Sequence, residues 1–110
     1  MSTHTKADAS AQLDSLVSQI VEAVHPVRII LFGSAARGEM GPDSDFDLLV
    51  VLPDGTHRQG ISKYLYQTVR GGGAAMDVLV VSEGDLKKHA NNVGLIYGTI
   101  LREGRVVYGH

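Results

Sequence analysis

The sequence contains no cysteine, which removes disulfide frameworks and thiolate zinc sites from consideration and is compatible with a reducing compartment. It also lacks a long apolar run. The strongest stretches, Val27 to Phe32, Leu48 to Leu52 and Val78 to Val81, fall far short of the roughly 18 residues that a membrane-spanning helix needs. An excess of basic charge is missing as well. Lys and Arg number 10 against 12 Asp and Glu, a formal net charge of −2, so no broad cationic surface waits for a nucleic-acid backbone, and long DNA or RNA is not expected as a principal partner. The opening residues, Met-Ser-Thr-His-Thr-Lys-Ala-Asp, have no apolar core of the kind a secretory signal requires. A soluble, cytoplasmic protein with no membrane partner is therefore expected. Histidines stand at positions 4, 25, 57, 89 and 110 without the spacing of a metal-ligand pair, and scattered surface histidines are the better reading.

What is present suits one small α/β (α+β) domain. A chain of 110 residues has room for one core, burying roughly two thirds of its unfolded surface. The expected organisation is a polar leader over residues 1–9 and a single domain over 10–110, with no second, substrate-holding domain. Leu13, Leu16, Val17, Ile20, Val21 and Val24 recur at intervals of three and four, which predicts a helix from about Ser10 to Val24 with one buried stripe. Pro26 ends it. Val27 to Phe32 reads as a buried strand closed by Gly33, and Asp45 to Leu52 as a second, ending at the turn Pro53-Asp54-Gly55. Ile61, Leu65 and Val69 predict a helix within about Gln59 to Arg70, broken by Gly71-Gly72-Gly73. That triglycine reads as a bend in a loop, since no Lys-Ser/Thr pair follows it as a P-loop demands. Met76 to Val81 is the third strand, and Ser82 with Asp85 suggests a capped helix start. A last helix carries Val93, Ile96, Tyr97, Ile100 and Leu101 and stops at Gly104, a residue type suited to the left-handed position after a helix end. Arg105 to Tyr108 forms a fourth, edge strand. The expected architecture is a small mixed sheet covered by helices; its strand order is not readable from the pattern.

The informative stretch runs Gly33-Ser34-Ala35-Ala36-Arg37-Gly38 and then Asp43-Ser44-Asp45-Phe46-Asp47-Leu48. Residues at i and i+2 of a strand share a face, so Asp45 and Asp47 project side by side while Phe46 and Leu48 face the other way. Two carboxylates held that close repel, unless a cation sits between them. Asp77 is a lone acid among Met76, Val78, Leu79, Val80 and Val81, where a charge without a partner is expensive. If its strand adjoins that of Asp45 and Asp47, the three acids supply oxygen ligands for one or two Mg²⁺ ions, with a triphosphate supplying the rest. Each of these residues also admits a plainer role. Asp45 and Asp47 are also what a solvated strand start would carry, Asp77 could pair with Arg28 or Arg37, and Gly33-Ser34 could be an ordinary helix cap. An EF-hand is excluded because Leu48 stands where its loop needs glycine. At Gly33-Ser34 the backbone can approach a phosphate, Ser34 can donate its hydroxyl, and Arg37 one turn along can add a charge.

The combination resembles the signature of the DNA polymerase β-type nucleotidyltransferase superfamily: a Gly-Ser pair, ten intervening residues, Asp-x-Asp and a third acid on a later strand. Here these are Gly33-Ser34, residues 35–44, Asp45-Phe46-Asp47 and Asp77. The fuller strings Gly-Ser-x-Ala-Arg-Gly and Ser-Asp-x-Asp-Leu, with Arg-Glu-Gly-x-x-x-Tyr at Arg102 to Tyr108, are similar to the minimal nucleotidyltransferase group, and the likeness spans nearly the whole chain. The resemblance implies a polymerase β-like nucleotidyltransferase fold in which Asp45, Asp47 and Asp77 bind Mg²⁺ and act in catalysis. It also implies that Gly33, Ser34, Arg37 and Ser44 bind the nucleoside triphosphate, ATP being the expected substrate. The implied chemistry is in-line attack on the α-phosphorus.

Members of the minimal group commonly pair with HEPN-type proteins in toxin–antitoxin systems. The resemblance thus implies an antitoxin that transfers AMP to a tyrosine of a HEPN ribonuclease toxin, in a hetero-oligomer; Tyr64, Tyr66 and Tyr97 could supply a docking face or could be half-buried helix residues. Two alternatives stand beside it: a small-molecule nucleotidyltransferase similar to the aminoglycoside-modifying enzymes, and a non-catalytic antitoxin that covers its toxin.

Overall fold

The structure, a computed structural model, describes residues 5–36, 46–56, 59–69, 76–89 and 96–109, with the side chains of 5–10, 34, 35 and 96 excepted. The elements run α1 (Thr5–Val24), β1 (Arg28–Phe32), α2 (Gly33–Ala36), β2 (Phe46–Leu52), α3 (Ile61–Thr68), β3 (Met76–Ser82), α4 (Glu83–His89), α5 (Ile96–Glu103) and β4 (Arg105–Gly109). The four strands form one sheet in the order β3-β2-β1-β4. β1 is antiparallel to both β2 and β4, and β2 is parallel to β3. This is the mixed α/β sheet with helical cover that the alternating pattern predicts.

β2 lies inside the sheet and is apolar on both faces because both are covered. Phe46, Leu48, Val50 and Leu52 join Ile29, Leu31 and Val78 under α1 and α3, whose Leu13, Leu16, Ile20 and Leu65 complete that core. Leu49 and Val51 join Ile30 and Val81 on the other face, under Leu86 of α4 and Ile100 of α5. The stripe read from α1 is the one it buries, with Val17, Val21 and Val24 packed at its margin. α1 starts at Thr5 rather than near Ser10; Lys6, Ala7 and Ala9 are compatible with helix, so the backbone extends beyond the apolar stripe. It closes at His25, which takes a left-handed φ of 49° while its N–H bonds the Val21 carbonyl at 2.9 Å. Pro26 follows and cannot continue the ladder.

At α4 the expected cap is present: Asp85 N–H donates to Ser82 Oγ at 3.2 Å. A second contact at this helix start has no signal in the sequence. Asp54, in the turn after β2, accepts a hydrogen bond from Gly84 N–H at 2.7 Å. Gly104 departs from expectation, since the described glycines with positive φ are Gly33, Gly55, Gly60 and Gly109. Space, not handedness, requires glycine at 104: a Cβ there would lie 2.6 Å from Ile30 Cγ2 and 3.0 Å from the Leu31 carbonyl. α3 spans fewer residues than the stretch Gln59 to Arg70, and Arg70 with Gly71-Gly72-Gly73 lies outside the described residues, as does Val93. Among the described residues no helix is long and apolar enough to cross a membrane.

Candidate active site

The site forms where β1 ends and β2 and β3 begin. Because β1 and β2 are antiparallel while β2 and β3 are parallel, Phe32 pairs with Asp47 and Asp47 pairs with Asp77. The three residues make one row across the sheet. Cα atoms of neighbouring strands stand about 4.8 Å apart, and residues level with each other on parallel strands share a face. The next rows on that face are Ile30, Leu49, Leu79 and then Arg28, Val51, Val81. Most of this face is covered by α4 and α5, but Asp77 is exposed, Leu79 is 39% exposed and Asp47 is partly exposed. Phe46 and Leu48 face the opposite core, as the alternation predicts.

Gly33 explains how Asp47 fits. It follows β1 directly, opens α2 and has φ of +74°, a conformation that strains any residue with a Cβ. A Cβ at this position would fall on Asp47 Oδ2 and within 3.2 Å of its Cγ. The missing side chain therefore makes room for a carboxylate, a use of glycine more specific than the general phosphate approach expected from the sequence.

The ion pair considered for Asp77 with Arg28 is not formed. Arg28 stands two rows away, four residues along the strands or about 13 Å, and its guanidinium lies 3.9 Å from Glu83. Asp45, Arg37 and Ser44 lie outside the described residues, and of Ser34 only the backbone, within α2, is described. The structure thus brings together Gly33, Asp47 and Asp77 from the expected set. Adjacent carboxylates are hard oxygen donors of the kind a divalent cation such as Mg²⁺ takes. Among the described residues no group of three potential metal-ligating side chains is assembled, and Asp45, the remaining acid of the motif, is not among them.

The tyrosines expected to form a docking face separate. Tyr64 and Tyr66 are exposed at 46% and 45%, whereas Tyr97 packs beside the α4/α5 core and stacks on His89 with ring centroids 6.4 Å apart. Tyr66 also has a local task, since its hydroxyl accepts a hydrogen bond from Val78 N–H at 2.8 Å. No local pattern signals that contact, which spans twelve residues.

A family model described as "Nucleotidyltransferase domain" matches residues 13–103. Among solved structures, the chain is similar to a candidate nucleotidyltransferase from Sulfolobus solfataricus with a TM-score of 0.58 and 18% identity, over 100% of this chain and 94% of that one. At that identity the likeness is one of fold. No curated protein matches the chain.

Proposed function

The chain belongs to the nucleotidyltransferase domain family, and from that premise we propose that it is an Mg²⁺-dependent adenylyltransferase whose acceptor is a tyrosine of a HEPN-type ribonuclease toxin, which it silences as an antitoxin. The observation that carries the catalytic half of this proposal is the register of Asp47 with Asp77 on adjoining parallel strands. Two carboxylates set level on adjoining strands are a good pair of ligands for a hard cation. The partner half is supported by the Gly-Ser-x-Ala-Arg-Gly and Ser-Asp-x-Asp-Leu strings at Gly33 to Gly38 and Ser44 to Leu48, which resemble the minimal nucleotidyltransferase group.

In this proposal Asp45, Asp47 and Asp77 hold Mg²⁺, which when bound neutralises charge on the triphosphate and on the entering and leaving oxygens. Gly33 leaves the Asp47 carboxylate its place against the backbone. Ser34, Arg37 and Ser44 bind the triphosphate of ATP, Arg37 matching anionic charge and the serines donating hydroxyls. The acceptor hydroxyl oxygen attacks the α-phosphorus, the bond to the β-phosphate oxygen breaks, and pyrophosphate leaves. Asp77 is the carboxylate assigned to take the hydroxyl proton. Catalysis on this scheme is positioning and charge neutralisation, with no covalent enzyme intermediate.

The test is to incubate the protein with the product of the adjoining reading frame, ATP and Mg²⁺, and to measure intact masses. A gain of one AMP unit on a partner tyrosine, lost in Asp45→Asn, is the expected result. Neutralisation of toxicity by Asp45→Asn with no mass gain would replace catalysis by stoichiometric binding. AMP transfer to an aminoglycoside-like small molecule instead would move the acceptor class and leave the site intact.

A further inference from the structure

We infer that Tyr66 is a positioning residue for Asp77: its hydroxyl holds the outer edge of β3 at the peptide bond that leaves the acid, and so sets the acid's direction. The inference rests on the reading of Asp77 as a metal-binding acid given above. Among the described residues β3 is an edge strand, with β2 as its one neighbour in the sheet. Alternate N–H groups of an edge strand point away from the sheet and have no ladder partner. Val78 N–H is one of these, and it donates to Tyr66 Oη at 2.8 Å from a partly buried position. A trans peptide unit directs its N–H and its carbonyl to opposite sides. The unit that joins Asp77 to Val78 is therefore held outward by Tyr66 and inward by β2, with Asp77 level with Asp47.

The rest of the tyrosine does not account for the contact. Tyr66 is 45% exposed and follows Leu65, the buried residue of α3. Phenylalanine would keep the ring and lose only the hydroxyl. Asp77 is the second residue of its strand, where an edge is poorly held by its own ladder, and a ligand acid there needs support from a second element. Groups that orient metal ligands from behind typically affect metal affinity or activity by about tenfold or more when removed.

Tyr66→Phe in the full chain tests this with three measurements: Mn²⁺ binding followed by electron paramagnetic resonance, amide hydrogen exchange at Val78, and separate kcat and KM for ATP in transfer. Faster Val78 exchange, about tenfold weaker Mn²⁺ binding and a kcat reduced by about tenfold with KM for ATP nearly unchanged are expected. KM is read at saturating Mg²⁺, where the cation site is filled and the triphosphate keeps the contacts assigned to Gly33, Ser34, Arg37 and Ser44. Faster Val78 exchange with wild-type Mn²⁺ binding and kcat overturns the inference, as does a variant that melts earlier yet binds Mn²⁺ normally, since Tyr66 is then only a stabilising contact. A wild-type chain that binds no Mn²⁺ removes the metal-site reading and this inference with it, an outcome distinct from the other two because it does not depend on Tyr66.

Discussion

Where β2 and β3 finish, Asp54 accepts a hydrogen bond from Gly84 N–H at 2.7 Å and Glu83 stands 3.9 Å from the Arg28 guanidinium. Where the same strands begin, Asp47 and Asp77 are set level with each other, and Gly33 clears the space that the Asp47 carboxylate fills. The two ends of one sheet thus carry acids in opposite settings. At the far end the acids meet a donor or a cation and help to seat α4. At the near end Asp47 and Asp77 stand level with each other on adjoining parallel strands, a placing of two carboxylates that packing alone does not call for. The acids that seat a helix and the acids proposed to ligate a cation therefore stand at opposite ends of the sheet, and substitutions at the two ends should separate in activity and stability.

The largest separation is expected from Asp47→Asn and Asp77→Asn. Each should lower transfer by about a thousandfold, since metal-based charge stabilisation contributes several kcal/mol and each 1.36 kcal/mol is about tenfold in rate. The thermal midpoint should hold or rise slightly, because one of two like charges set level on adjoining strands is removed. Steady-state transfer and a melting curve on the same preparations check both halves. A drop in melting temperature for both variants would place these acids in the same structural class as Asp54. Gly33→Ala should have an intermediate effect and act on both properties. The left-handed backbone costs an L-residue about 1–2 kcal/mol, and the displaced Asp47 carboxylate should reduce transfer by about tenfold or more. Wild-type activity in a folded Gly33→Ala protein would show that Asp47 does not need its observed place. The smallest effect belongs to the far end: Asp54→Ala should cost about 1 kcal/mol through the lost bond to Gly84. That lowers the melting temperature by about 4–8 °C with transfer unchanged, and a loss of transfer exceeding the loss of folded protein would join the two ends functionally.

Much of this division is legible in the sequence, and what is not has a physical reason. The strands declare themselves because Ile29 to Leu31 and Leu48 to Leu52 are buried and apolar, and α1 because Leu13, Leu16 and Ile20 repeat with the helical period. Asp47 and Asp77 stand out because a carboxylate interrupts each apolar run. Their meeting is not readable, since it depends on β2 and β3 being neighbours in parallel register, and strand order is decided by how the intervening helix packs. The contacts from Tyr66 to Val78 and from Asp54 to Gly84 are likewise products of tertiary structure, made across twelve and thirty residues. Gly104 serves a different purpose from the one its position suggests, because local patterns record that a glycine ends a helix, not that Ile30 and the Leu31 carbonyl crowd the position. Asp45, Arg37 and Ser44 rest on the motif alone, as they lie outside the described residues.

On the proposed reading the acid pair at the near end, with Asp45 of the motif, is a cation-dependent nucleotide site. Calorimetric titration of the purified chain with ATP, once with Mg²⁺ and once in EDTA, tests it most directly. Three carboxylates and a triphosphate repel unless a cation stands between them, so saturable binding with Mg²⁺ and no measurable binding in EDTA is the predicted result. Equal affinity in the two titrations would contradict it.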